Sequence, residues 1–207
     1  MLRQSEHMAD YLAALERLRA GGLVYRCFKT RRQVLETMMS APHGAPEGYR
    51  GQRLGADEEA ARLAAAGPFA WRLDLAAAER AAGPLTFFES GEGPAGQRGV
   101  IAVDASAAGD VVLARKDVGV AYHLAVVVDD ARQGITEVTR GQDLFDATHI
   151  QRVLQALLGF PEPRYRHHRL ILGPDGRRLA KRDGAETLQA LRARGVTPEE
   201  LRRELAV

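Results

Sequence analysis

Apolar residues recur at helical spacing near the start of the chain. Met8, Tyr11, Leu12, Leu15 and Leu18 fall on one face, with Ser5 placed to cap the helix and Gly21 and Gly22 to stop it. Leu23–Phe28 reads as a short buried strand, and Thr30 can start a second helix that reaches Met39. Ala41–Gly55 is rich in Pro and Gly and has no periodicity, which predicts a loop. Asp57 then opens a short Ala-rich helix ending at Gly67. Four strand candidates follow between turn residues: Phe69–Leu75, Leu85–Ser90, Gly99–Ala105 and Asp110–Asp117. This middle stretch predicts a small mixed or antiparallel region.

From Ala121 the pattern changes. Ala121–Asp130 is an apolar run closed by two aspartates, and Ile135–Gly141 reads as a parallel strand, so the two together suggest a strand–turn–strand unit. Asp146 or Thr148 can start an amphipathic helix carrying Ile150, Val153, Leu154, Leu157 and Leu158, ended by Gly159 and Pro161. A tight Gly173-Pro174-Asp175-Gly176 turn leads into a basic loop, and helices over Glu186–Arg194 and Pro198–Leu205 close the chain. No internal repeat or low-complexity segment interrupts this order.

Composition narrows the class more than the function. With 45% hydrophobic and 27% charged residues in 207, the chain has enough apolar mass for one substantial core or two small ones. Lys and Arg number 29 against 27 Asp and Glu, and a formal charge of +2 does not argue for nucleic acid. Basic residues do thicken across Arg164–Arg182. Cys27 is the single cysteine, which excludes an internal disulfide and fits a reducing compartment. No apolar run approaches the ~20 residues of a membrane span, and no signal peptide precedes Met1, so a cytoplasmic protein is expected.

Two constellations carry chemistry. The loop Arg177-Arg178-Leu179-Ala180-Lys181-Arg182 is a flexible cationic segment of the kind that follows charge on a nucleotide's phosphates, or else a solvated basic face. Tyr122, Asp129, Asp130 and Arg140 flank the predicted strand. Carboxyl ends of parallel strands line ligand crevices, and Arg140 there could offer a fork to a carboxylate. The plainer alternatives are a surface ion pair for Arg140 and a core aromatic for Tyr122.

Taken in order, Tyr122–Asp130, Gly134–Gly141, Asp143-Leu144, His167–Leu172 and Gly176–Gly184 resemble the second half of a class I glutamyl-tRNA synthetase catalytic domain. The resemblance covers nearly the whole chain and is strongest to the shortened branch that attaches glutamate to queuosine in tRNA(Asp). It implies an α/β, Rossmann-like class I fold with an inserted small α+β acceptor-binding region. The implied division is 1–28 for the remainder of the first nucleotide-binding half, 29–108 for the insert, 109–165 for the second half, and 166–207 for the signature loop and last helices. Tyr122 and Arg140 match the family's glutamate-binding pair. Lys181 matches the second lysine of the loop usually written KMSKS, with Arg178 at its first lysine, Ala180 at its serine, and Leu179 and Arg182 completing it. The resemblance implies L-glutamate, ATP with Mg2+, and queuosine-containing tRNA(Asp) as partners of a monomer.

Departures from the family are equally specific. Its zinc site uses Cys-x-Cys and Tyr-x-x-x-Cys, whereas the matching positions are Cys27, Lys29, Tyr49 and Arg53. One thiolate and one phenol do not make a tetrahedral zinc site, so no metal is expected there. The HIGH motif that holds ATP is not among the 207 residues, and the strands beside the missing one are expected to show unpaired edges. The 207 residues by themselves are therefore expected not to exchange pyrophosphate with ATP. A fragment of a glutamyl-tRNA synthetase and a non-catalytic tRNA-binding remnant are the alternatives. Asp183–Val207 leave no room for an anticodon-binding domain, which favours the queuosine branch.

Overall fold

The computed structural model describes residues 3–39, 48–115, 119–172 and 187–205. The chain divides into two units, Met1–His168 and Arg169–Val207. The first holds two four-stranded sheets with helices packed on them.

One sheet is antiparallel throughout, built from β1 (Val24–Cys27), β2 (Ala70–Leu73), β5 (Val112–Arg115) and β6 (Gly119–Val120), in that spatial order. The other contains β3 (Thr86–Glu89), β4 (Gly99–Ala102), β7 (Glu137–Gly141) and β8 (Arg164–His168), in the order β4-β3-β8-β7. Here β3, β8 and β7 run parallel and β4 is antiparallel. Among the described residues strand β7 pairs with β8 alone and so forms one edge of this sheet.

Helices α1 (Met8–Ala20), α4 (Leu75–Ala82), α5 (Tyr122–Gln133) and α6 (Phe145–Leu158) enclose the main core, whose fully buried members include Tyr11, Leu18, Leu73, Leu113, Leu124, Ile150 and Leu154. In α1 the buried stripe is Tyr11, Ala14, Leu15 and Leu18, while Met8 and Leu12 are exposed. His7, not Ser5, sits at its N-cap. Tyr11 donates a 2.6 Å hydrogen bond to Asp129 Oδ1 and Gln4 donates to Oδ2 at 2.8 Å, joining α1 to α5. Helices α2 (Arg31–Met39) and α3 (Ala56–Ala64) lie between β1 and β2 in the chain, and Thr30 caps α2 by a reciprocal pair with Gln33.

The run Ala121–Asp130 is helix α5, not a strand. Its valines favour a strand by local stiffness, but a helix here buries Leu124, Ala125, Val127 and Val128 against α1, α6 and β5, and Gly134 ends it at φ 63°. Helix α4 also departs from the sequence reading. Asp74 and Leu75, read as the end of a strand, form its cap and first residue, with Asp74 Oδ1 accepting from Ala77 N at 3.0 Å.

The second unit contributes α7 (Leu188–Ala193), capped by Thr187, and α8 (Pro198–Leu205), which begins at Pro198 after Thr197 as the sequence predicts and also carries a Thr197–Glu200 capping box. Arg178, Leu179, Ala180, Lys181 and Arg182 lie outside the described residues.

Candidate functional site

Arg140 is the fourth residue of β7 and Tyr122 the first of α5, so strand end and helix start meet at the carboxyl side of the parallel strands. Arg140 Nη1 donates to the Tyr122 hydroxyl at 3.5 Å, Nη2 to Thr148 Oγ1 at 2.6 Å, and Nε to His167 Nε2 at 3.1 Å. The guanidinium also lies 5.4 Å from the ring centroid of Tyr165. All four partners are neutral, and among the described residues no carboxylate pairs with Arg140. A half-buried guanidinium with no carboxylate in contact, and Asp130 coupled to it only through space, can take up an anion. One hydrogen on each terminal nitrogen is left over from these bonds, which suits a carboxylate's two oxygens. The positive end of the α5 dipole adds to the same field.

The two aspartates separate by role. Asp129 is buried and committed to Tyr11 and Gln4. Asp130 is half-buried, and burial holds its carboxyl above the ordinary range while the charge of Arg140 pulls the other way. Asp130 is thus the acidic group whose electrostatics couple to the crevice.

Behind Arg140 stands a buried pair that the sequence reading did not single out. His167 Nδ1 lies 2.6 Å from Glu89 Oε2, and Glu89 Oε1 accepts from the backbone N–H of His167 and of Gly91, both at 2.8 Å. Glu89 and His167 are 1% and 2% exposed, and Thr148 is fully buried beside them. The alternation of β8 (exposed, buried, exposed, buried, exposed) places Tyr165 and His167 inward, a signal that could have marked His167.

His123, His149 and His167 are all held below the ordinary imidazole value, burial being the first cause in each, with the Glu89 contact opposing it at His167. An imidazole kept neutral by folding takes up protons more readily once unfolded. Stability is therefore expected to fall as pH drops through about 6.5, the unfolded value, and to be flat above it. Asp130, raised rather than lowered, acts in the opposite sense at lower pH. Urea midpoints at pH 7.5 and 5.5 check this, and equal midpoints would mean that the imidazoles are not held neutral.

The positions matching the zinc cysteines form something else. Cys27 Sγ lies 3.8 Å from the Tyr49 hydroxyl, both buried, and burial with Cys27 beside it pushes the Tyr49 phenol up to about 12. Lys29 donates to Thr37, and Arg53 donates to Asp74 and to the Gly22 carbonyl. A thiol, a protonated phenol and two engaged cations do not fit a zinc ion. Among the described residues no cluster of three His, Cys, Asp or Glu side chains could hold a metal.

Asp110 ties this region together. Its Oδ2 accepts from Tyr25 OH and Gly51 N, both at 2.8 Å, and its Oδ1 from Leu75 N at 3.1 Å. Its backbone N–H reaches Tyr49 O at 2.7 Å, and its carbonyl accepts from Arg72 at 2.6 Å. The approach is so close that a Cβ on Gly51 would lie 2.0 Å from the Tyr25 hydroxyl, and one on Gly48 2.2 Å from the Ala108 backbone.

A crevice with Arg140 at the end of a parallel strand, in a mixed sheet next to an antiparallel one with helices packed on both, defines an α/β domain. The chain belongs to the family described as tRNA synthetases class I (E and Q), catalytic domain, which matches residues 1–207. Members of this family are ATP-dependent aminoacyl-tRNA ligases. The chain is 44% identical over 223 residues to the glutamyl-Q tRNA(Asp) synthetase of Rhodobacter capsulatus, covering 98% of this chain and 74% of that protein. It is 44% identical over 201 residues to the protein of the same name from Nocardia farcinica, covering 96% of this chain and 60% of that one. The fold matches a glutamate-tRNA synthetase of Elizabethkingia anophelis with a TM-score of 0.67 at 24% identity, over 88% of this chain and 37% of that one. Among the described residues no helix is long and apolar enough to cross a membrane.

Proposed function

We propose that the Arg140–Tyr122 crevice binds L-glutamate, and that the chain contributes this site to a ligase that activates glutamate with ATP and passes it to queuosine in the anticodon of tRNA(Asp). The observation that carries the reading is Arg140 itself, a half-buried cation with neutral partners and two hydrogens to spare. It would take the side-chain carboxylate, and Tyr122 would face the amino end. The α-carboxylate then attacks the α-phosphorus of ATP, forming glutamyl-adenylate and releasing pyrophosphate. A hydroxyl on the cyclopentene ring of queuosine next attacks the activated carbonyl and AMP leaves. Lys181 and its neighbours Arg178–Arg182 would serve the phosphates, with Mg2+ on the triphosphate. No covalent enzyme intermediate is needed, because positioning and charge stabilisation suffice. A monomer acting in the cytoplasm fits this role.

The names of relatives at 44% identity support queuosine as acceptor, over shared lengths of 74% and 60% of those proteins. Calorimetry with L-glutamate and L-glutamine tests the ligand. Glutamate should bind at least about tenfold tighter, because glutamine offers no charge to the guanidinium. Equal affinities would remove the carboxylate from the argument. Charging assays on queuosine-containing tRNA(Asp) and tRNA(Glu) then separate the acceptors, and glutamate appearing only on tRNA(Glu) would end the queuosine reading.

A further inference from the structure

Arg140 is aimed by groups that would not themselves touch a ligand. A guanidinium has no lone pair to give, so every contact it makes through nitrogen is a donation. The 3.1 Å contact between Arg140 Nε and His167 Nε2 therefore requires Nε2 to be bare. A neutral imidazole with a bare Nε2 carries its proton on Nδ1, which here faces Glu89 Oε2 at 2.6 Å. The carboxylate that selects this tautomer is itself held: Glu89 Oε1 accepts two backbone N–H groups, so it cannot turn away without orphaning both. Thr148 completes the arrangement, accepting from Nη2 at 2.6 Å with its oxygen 3.4 Å from the same His167 nitrogen.

These contacts form a line from the sheet interior to the crevice. Glu89 is on β3, His167 on β8 and Arg140 on β7, three adjacent parallel strands. His167 and Arg140 are register partners, so the backbone sets their separation. With Phe145 5.2 Å and Tyr165 6.2 Å from the imidazole, ring centroid to centroid, the ring is confined by packing as well.

We infer that Glu89 and His167 are positioning residues for amino-acid binding: Glu89 fixes the His167 tautomer, and His167 in turn fixes the plane of the Arg140 guanidinium, leaving its terminal hydrogens turned to the ligand carboxylate. The inference rests on the proposed glutamate site and adds two residues to it. Its energetic logic is preorganisation. An arginine with several rotatable bonds would otherwise surrender that freedom when the ligand arrives.

Two pairs of conservative variants distinguish this relay from simple packing. His167→Gln can place an amide oxygen near the Nε2 position and still accept from Arg140 Nε. His167→Asn retains polarity near Nδ1 but reaches Arg140 with nothing. Glu89→Gln keeps the shape but presents an NH2 group to Nδ1, which drives the proton to Nε2 and sets two donors against each other. Glu89→Asp keeps the charge. By calorimetry, His167→Asn and Glu89→Gln should weaken glutamate binding about tenfold or more, the worth of one hydrogen bond to a charged group. His167→Gln and Glu89→Asp should retain more of the affinity, and ATP binding should not change.

Nitrogen-15 NMR of the imidazole, without any ligand, reads the tautomer directly. Wild type should show a protonated Nδ1 and a bare Nε2, and Glu89→Gln should reverse them. A protonated Nε2 in wild type, or His167→Asn with unchanged glutamate affinity, would overturn the inference. If wild type binds no glutamate at all, the glutamate assignment falls, while the relay is still judged on the imidazole nitrogens and on the Arg140 Nε–H resonance.

Discussion

Replacing Arg140 by Gln is expected to weaken glutamate binding roughly 100-fold, about 3 kcal/mol, without lowering the stability of the protein. The magnitude follows from removing the charged partner of a carboxylate in a partly desolvated site. The unchanged stability follows from what surrounds the arginine in the free protein. Its bonds go to Tyr122, Thr148 and His167, none of which offsets its charge. Glutamine removes a half-buried cation that touches no carboxylate, and Thr148 remains beside His167 to satisfy the imidazole nitrogen. Arg140→Lys should fall between, because an ammonium cannot hold His167 and present a fork at once. Titration calorimetry at fixed ionic strength, paired with thermal melts, makes the measurement. An Arg140→Gln protein within about threefold of wild type would remove the guanidinium from substrate binding.

The second large effect concerns stability. Asp110 is 5% exposed and satisfies three donors from three segments: Tyr25 on β1, Gly51 in the following connection, and Leu75 at the start of α4. Alanine there orphans two backbone N–H groups and a phenol and is expected to cost about 4 kcal/mol, within the range for stripping one partner from a buried charged network. Asparagine should cost about 2 kcal/mol, since its NH2 must face at least one backbone N–H whichever way the amide turns. Against a total stability of about 5–15 kcal/mol, the alanine variant is severely weakened. Urea denaturation followed by far-ultraviolet circular dichroism gives both values. A midpoint for Asp110→Ala equal to that of wild type would show that the loop is held by something else. The Asp110 carboxylate thus gathers these segments next to the pair Cys27 and Tyr49.

Legibility followed the reach of the interactions. Helix α8 and the cap of α2 were readable because Thr197 with Glu200, and Thr30 with Gln33, are short-range pairs that carry their own signal. Strand β7 was readable from the β-branched residues Ile135, Thr136, Val138 and Thr139 and the closing Gly141. Helix α5 was not, because local preference for Val126–Val128 points to a strand and the deciding term is burial between α1, α6 and β5. Helix α4 was hidden for a different reason: its alanines carry little periodic contrast. For the crevice, Tyr122 and Arg140 stood out through the family resemblance, whereas Glu89 had no local mark. Only the parallel pairing of β3 with β8 brings it to His167, 78 positions further along the chain.

Trp71 is the sole tryptophan and lies on β2, in the antiparallel sheet, with the Arg26 guanidinium 4.5 Å above its ring and Phe69 edge-on at 5.7 Å. Tryptophan emission, excited selectively over the five tyrosines, therefore has one source, tuned by a neighbouring cation and blind in the first instance to the sheet that carries Arg140. Emission will report the opening of the Asp110-clamped region during unfolding, and glutamate can fill the crevice without changing it. A silent titration would accordingly say nothing against binding.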